Sequence, residues 1–163
     1  MLRKVAPSSS CAFPLPEICL SWSGSVATTV VFYDGVCGLC GRFVRFLLRR
    51  DRHGRILFAP LQGTLARAVL VPRGLNPSEL DTMYAVAGWQ RPSERVLARS
   101  RAVLHAVGQL DGVWPVVARI ALLVPAPVAD AVYRLVATVR YHAFGRLASC
   151  PIPPPEWRDR FLD

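Results

Sequence analysis

The clearest hydrophobic signal in the chain is a change of period within residues 28–50. Thr28 to Phe32 is a run of β-branched and aromatic residues, the composition of a strand covered on both faces. It should end near Tyr33, where Asp34-Gly35 supplies a turn. From Gly41 to Arg50 the period becomes helical. Phe43, Phe46 and Leu47 share one face, Val44 and Leu48 widen it, and no Pro interrupts it. Asp51 to Gly54 close this helix, and Arg55 to Ala59 reads as a second strand. A strand, a helix and a strand at this spacing make a β-α-β unit with parallel strands and a right-handed crossover.

Downstream, residues 62–71 predict a short helix and residues 72–77 a loop. Residues 82–87 form a third strand, 88–93 a turn and 94–98 a fourth strand, close enough in sequence to pair as an antiparallel hairpin. Ser100 caps a helix that runs through Gln109, with Val103, Leu104 and Val107 on its apolar face. The fold class is therefore α/β. The order β-α-β, connection, β-β-α is that of a thioredoxin-like β-α-β-β-β-α core. Two further apolar helices follow, Val113 to Val124 and Ala126 to Val139, separated by Pro125 and Pro127. Charged residues break both runs below the roughly 18–20 apolar residues a membrane crossing needs. No transmembrane segment is expected, and packing against the sheet or a partner is the expected role. After Cys150 comes a stiff Pro-rich piece and a short amphipathic turn, Glu156 to Leu162.

Residues 1–27 follow neither period and are rich in Pro, Ser and Gly. Pro14, Pro16 and Glu17 break the one stretch that resembles a signal-peptide core. This segment reads as a disordered or non-native extension, with a transit peptide as the weaker alternative, ahead of one domain at residues 28–163. The net charge of +9 comes almost wholly from arginine, with Lys4 the only lysine. Arg42, Arg45, Arg49 and Arg52 form a stripe on the first helix, which reads as a solvated face, a flank of the cysteine pair or an anion-binding surface. No nucleic-acid module or interleaved aromatic residues accompany it, which disfavours nucleic acid. A peripheral membrane contact stays open.

The candidate chemistry lies between the first strand and the first helix, at Cys37 and Cys40. A cysteine at a helix N-terminus meets unpaired N–H groups and the positive end of the helix dipole, which favour thiolate over thiol. The thiolate attacks a disulfide, and a second thiol two residues further on resolves the mixed disulfide. Cys37 is thus the expected nucleophile and Cys40 the resolving thiol. The five cysteines are an odd, unevenly spaced set, unlike a secreted disulfide framework. One CxxC suits a reducing compartment, and a cytoplasmic location is expected. The competing reading is half of a zinc site. Zinc takes four ligands, usually as two pairs, whereas His53, His105, His142 and Cys150 are scattered. Cys11 and Cys19 have no evident role, and Cys150 reads as an inert thiol or a third redox partner. Asp34 is either a turn former or a carboxylate that manages the proton of Cys40 and tunes Cys37. A phosphatase reading of Val-Val-Phe-Tyr-Asp-Gly fails, because Phe32 stands where the nucleophilic aspartate belongs. A cysteine-phosphatase reading fails at Phe43 and Phe46, where an arginine is needed. Tyr33 and Trp89 read as packing residues.

These residues resemble the DCC family of thiol–disulfide oxidoreductases, named for Asp-x-x-Cys-x-x-Cys, here Asp34 to Cys40. Phe58-Ala59-Pro60-Leu61-Gln62, Arg99-Ser100 and Arg140-Tyr141-His142-Ala143-Phe144-Gly145 resemble further family motifs. Cys150-x-x-Pro153-x-Pro155-Glu156-x-Arg158-x-Arg160-Phe161-Leu162 resembles its C-terminal signature. The resemblance spans residues 28–163 and implies a thioredoxin-like fold with a dithiol site at Cys37 and Cys40 beside Asp34. It does not specify a substrate; the dithiol reading itself calls for a disulfide or thiol substrate and electrons from cellular thiols, with no bound cofactor or metal expected. One departure from well-studied thioredoxins is the absence of a proline just before the third strand. Leu80-Asp81 stand there instead, with Pro77 the nearest upstream, which points to a non-protein or very restricted substrate. Two other function classes remain: a scaffold that uses the basic helix and the apolar C-terminal helices, and a zinc-stabilised module.

Overall fold

The computed structural model describes residues 29–148 and 154–162. The extension at 1–27, with Cys11 and Cys19, lies outside the described residues, as does Cys150. Strand β1 (Thr29–Tyr33) is buried along its whole length, as its β-branched run requires. It pairs in parallel with β2 (Ile56–Pro60) and antiparallel with β3 (Tyr84–Ala87), which pairs antiparallel with β4 (Arg95–Ala98). The sheet order β2-β1-β3-β4 makes a mixed four-stranded sheet, as the thioredoxin-like reading requires.

The alternation of side chains along the strands divides the core into two layers. Val31, Tyr33, Ile56, Phe58 and Ala85 face α1 (Gly38–Arg50) and α3 (Arg99–Gly108), where Val44, Leu47, Ala102 and Ala106 meet them. Val30, Phe32, Leu57, Ala59 and Val86 face α2 (Thr64–Leu70), with Ala66, Val69 and Leu70. Helix α1 begins three residues earlier than its hydrophobic period suggests, because Cys37 acts as its N-cap and takes Cys40 into the first turn.

Two other boundaries shift for tertiary reasons. Ser100 is not a local cap: its N–H and hydroxyl both donate to Asp130 Oδ1, which lies on α5 (Ala126–Phe144). A carboxylate from another helix thus serves donors that the start of α3 leaves unpaired. Helix α5 runs five residues beyond Val139, the end expected from its apolar run. That extra turn brings Arg140 and Tyr141 to the site described below.

Helix α4 (Trp114–Ala121) packs on α3, and α5 touches α1 and α3 along one narrow stripe. Much of the remaining surface of both is apolar and open, with Val116, Ile120, Val132, Leu135 and Val139 exposed and Arg119 and Arg134 interrupting them. The sheet therefore does not cover these helices. Among the described residues no single helix is long and apolar enough to cross a membrane.

The C-terminal piece is held to the sheet by a charged cluster. Asp51, which ends α1, accepts the N–H groups of Arg55 at 3.1 Å and Ile56 at 2.9 Å and is paired with Arg160. Arg160 also donates through Nε to the Ile56 carbonyl at 2.9 Å, and the Leu162 N–H reaches the Phe58 carbonyl at 2.9 Å. Asp51 is buried, so removing its partner strands a charge. Arg160→Ala should lower the unfolding free energy in urea by about 3 kcal/mol. Asp51→Ala should lose a similar amount, and the double variant little more than either. Additive losses would show that the two side chains act separately.

Candidate dithiol site

Residues 34–37 form the loop between β1 and α1, and the chemistry of Asp34 shapes it. Asp34 Oδ1 accepts the Val36 N–H at 3.1 Å, the two-residue closure of an Asx turn. The same oxygen takes the Gln62 amide at 2.8 Å, and Gln62 Oε1 accepts the Gly35 N–H at 3.1 Å. Oδ2 accepts the Tyr141 hydroxyl, and the Arg140 guanidinium lies 3.6 Å away. Asp34 is 2% exposed, so both oxygens are spent inside the protein. It is thus the turn former that the sequence suggests, and also the anchor for the end of α5.

Cys37 follows in extended conformation, and its Sγ accepts the Cys40 N–H at 3.4 Å. A sulfur here takes the place of the usual N-cap oxygen. Both thiols are free, but they differ in access: Cys37 is fully buried, whereas Cys40 is half-buried. The cover over Cys37 is the chain that leaves α5. The Gly38 N–H donates to the Gly145 carbonyl at 3.3 Å, the Leu147 N–H donates to the Val36 carbonyl at 2.8 Å, and Cys37 forms a bridge with Arg146. Gly38 permits this approach, because a Cβ there would lie 2.2 Å from the Phe144 carbonyl oxygen.

The sulfurs are coupled. Burial pushes the Cys40 thiol up to about 12, helped by its hydrogen bond to Cys37 and the negative charge there. Arg140 opposes this rise and Asp34 adds to it. The cation facing the thiols is Arg140, 102 positions along the chain from the start of α1, and not the α1 stripe. Of that stripe, Arg42 stacks on the Phe144 ring at 5.6 Å, and Arg45, Arg49 and Arg52 are exposed.

The structure thus brings together Cys37, Cys40 and Asp34 and adds Arg140, Tyr141, Gln62 and Gly38. Sequence patterning gives the added residues no role. The one sign of them is that Gln62, Arg140 and Tyr141 lie in stretches resembling family motifs. The histidines stay apart, with His105 Nε2 3.1 Å from Thr29 Oγ1 and His53 beside Asp111 at 3.4 Å. Among the described residues no three His, Cys, Asp or Glu side chains converge as metal ligands. Tyr33 lies in the core, and Trp89 packs against its other layer.

The sequence profile of the DCC1-like thiol-disulfide oxidoreductases matches residues 31–146, from within β1 to the segment that covers Cys37. The chain belongs to this family. It is 33% identical to the YuxK protein of Bacillus subtilis over 140 residues, which covers 86% of this chain and 98% of that one. It is 32% identical over 123 residues to a chloroplastic DCC family protein of Arabidopsis thaliana, covering 76% and 69% of the two chains. No solved structure matches the chain significantly.

Proposed function

We propose that this DCC family protein is a thiol–disulfide oxidoreductase whose Cys37 and Cys40 cycle between dithiol and disulfide. The observation that carries this reading is the Cys37 sulfur at the α1 N-cap, accepting a hydrogen bond from the Cys40 N–H and faced by Arg140. In this reading Cys37 acts as the attacking thiolate, and burial keeps the proton on Cys40. Asp34 fixes the loop that leads into the pair and acts on Cys40 through its charge. Reduction of one substrate disulfide forms the Cys37–Cys40 bond and releases two thiols. Two cellular thiols return the electron pair by forming a disulfide of their own. Chain order assigns attack to Cys37 and resolution to Cys40, but direct attack by Cys37 requires residues 145–147 to lift.

A redox titration in glutathione buffers, with thiols counted by mass after alkylation, tests the reading. The pair should interconvert as a two-electron couple between about −270 and −180 mV. A Cys37→Ser, Cys40→Ser double variant should lose all exchange activity. Cysteines that remain reduced at every poise, or exchange that survives the double variant, would sink the proposal.

A further inference from the structure

Between α1, α3 and α5 lies a cavity of about 270 Å³ with an almost wholly apolar wall. Cys40, Phe43, Met83, Val103, Tyr133 and Arg140 contribute to it. Three features distinguish it from a gap in packing. First, it is bordered by the thiol that retains exposed surface, whereas Cys37 has none. Second, the Arg140 side chain in this wall is 4% exposed, and its Nε–H has no acceptor. Its terminal nitrogen serves Leu80, Tyr141 and Asp34. A buried donor without a partner is rare in folded proteins and marks a place for an acceptor that arrives later.

Third, the backbone beside Cys40 is closed to peptides. Extended peptides bind by pairing with free N–H and C=O groups of a strand. Met83, just ahead of β3, donates its N–H to the Tyr133 hydroxyl at 2.8 Å, and its carbonyl accepts the Arg99 N–H at 2.9 Å. The Tyr133 side chain of α5 thus takes the Met83 N–H that a pairing peptide would need. What remains open is a small hydrophobic space. Arg140 is already matched by Asp34, so the space offers no net charge to an anion, and a charged ligand would lose its hydration there.

We propose that this cavity binds a small, uncharged, apolar disulfide, one sulfur of which bonds first to Cys40. The inference rests on the oxidoreductase reading, specifies its substrate class and, because Cys37 is covered, reverses the order of attack that chain order gives. Cys37, as thiolate, takes the Cys40 proton. The Cys40 sulfur attacks the ligand disulfide, a mixed disulfide forms, and one thiolate leaves. That thiolate accepts the proton now on Cys37. Cys37 then attacks the Cys40 sulfur, the Cys37–Cys40 bond forms, and the second thiolate departs. The ligand gains two electrons and the protein loses two. The Arg140 Nε–H supplies a hydrogen bond to sulfur as negative charge passes through the cavity.

The test compares oxidation of the reduced protein by dithiodipyridine, which is uncharged, and by the dianionic dithiobis(nitrobenzoate). Each rate is divided by that of free cysteine with the same reagent. The normalised rate should favour the uncharged reagent by at least about tenfold, although the protein's net charge of +9 favours the anion. Ala137→Leu, which narrows the cavity, should reduce this preference, with its fold checked by circular dichroism. In Cys37→Ser the adduct should map to Cys40 by peptide mass. Preference for the anion or for the disulfides of insulin overturns the proposal and leaves the oxidoreductase reading intact. So does a Cys40→Ser variant that traps substrate on Cys37 while Cys37→Ser traps none. Failure of every disulfide to oxidise the pair removes the oxidoreductase reading and the proposal together.

Discussion

Asp34→Asn and Arg140→Gln should move the reactivity of Cys40 in opposite directions. Asp34 holds the Cys40 proton on and Arg140 helps release it, so their charges enter with opposite sign. A unit charge near a half-buried thiol, partly screened by water, contributes on the order of 1–2 kcal/mol, or roughly tenfold in thiolate population. At a fixed pH below the Cys40 titration, Asp34→Asn should therefore speed alkylation of Cys40 by up to about tenfold. Arg140→Gln should slow it by a similar factor. Both variants should lose stability. Arg140→Gln leaves the Asp34 carboxylate buried without its cation, which costs about 3–5 kcal/mol. Loosening of the fold alone would speed alkylation in both variants, so the opposed signs separate electrostatic control from structural damage. Parallel changes would mean that the Asp34–Arg140 pair is scaffolding and does not govern the thiols.

The parts of this site that were legible in the sequence are those set by local chemistry. The shift from a strand period to a helical one fixes β1, α1 and β2, and Asp34-Gly35 marks the turn between them. The spacing of Cys37 and Cys40 places both sulfurs at a helix start. The rest depends on residues far along the chain. Tyr141 reaches Asp34 across 107 positions and Gln62 across 28, and no periodicity encodes such pairings. Arg140 interrupts an apolar run and so reads locally as the end of a helix. In the fold it is the residue for which α5 continues inward. The capping rule likewise finds Ser100 but cannot show that its donors turn to Asp130, 30 positions away. Most consequential is access. A CxxC at a helix start suggests an open first cysteine, whereas residues 145–147 bury Cys37 and leave Cys40 as the sulfur beside open space. Cover of this kind is a property of tertiary structure and leaves no pattern near the cysteines themselves.

Gly38→Ala should uncover Cys37. The new methyl group would sit 2.2 Å from the Phe144 carbonyl oxygen, 3.2 Å from its carbon and 3.3 Å from the Gly145 oxygen. All three are backbone atoms, so no side chain can rotate away, and the end of α5 must retreat. With it go the Gly38 N–H to Gly145 and Leu147 N–H to Val36 hydrogen bonds that close the cover. The strain and lost bonds should cost about 2–3 kcal/mol. Gly41 supplies the control, because a methyl group there meets nothing within 4 Å. Gly41→Ala should leave Cys37 protected and stabilise α1 by about 0.5–1 kcal/mol, the usual gain for replacing a helical glycine. Iodoacetamide labelling followed by peptide mass mapping, alongside urea unfolding, reads both effects. Cys37 should react at least about tenfold faster in Gly38→Ala than in Gly41→Ala or the parent, as expected when a closed segment opens at a cost above 1.4 kcal/mol less than before. Equal labelling of Cys37 in all three proteins would mean that residues 145–147 do not limit access. The order of attack would then be set by the sulfurs alone.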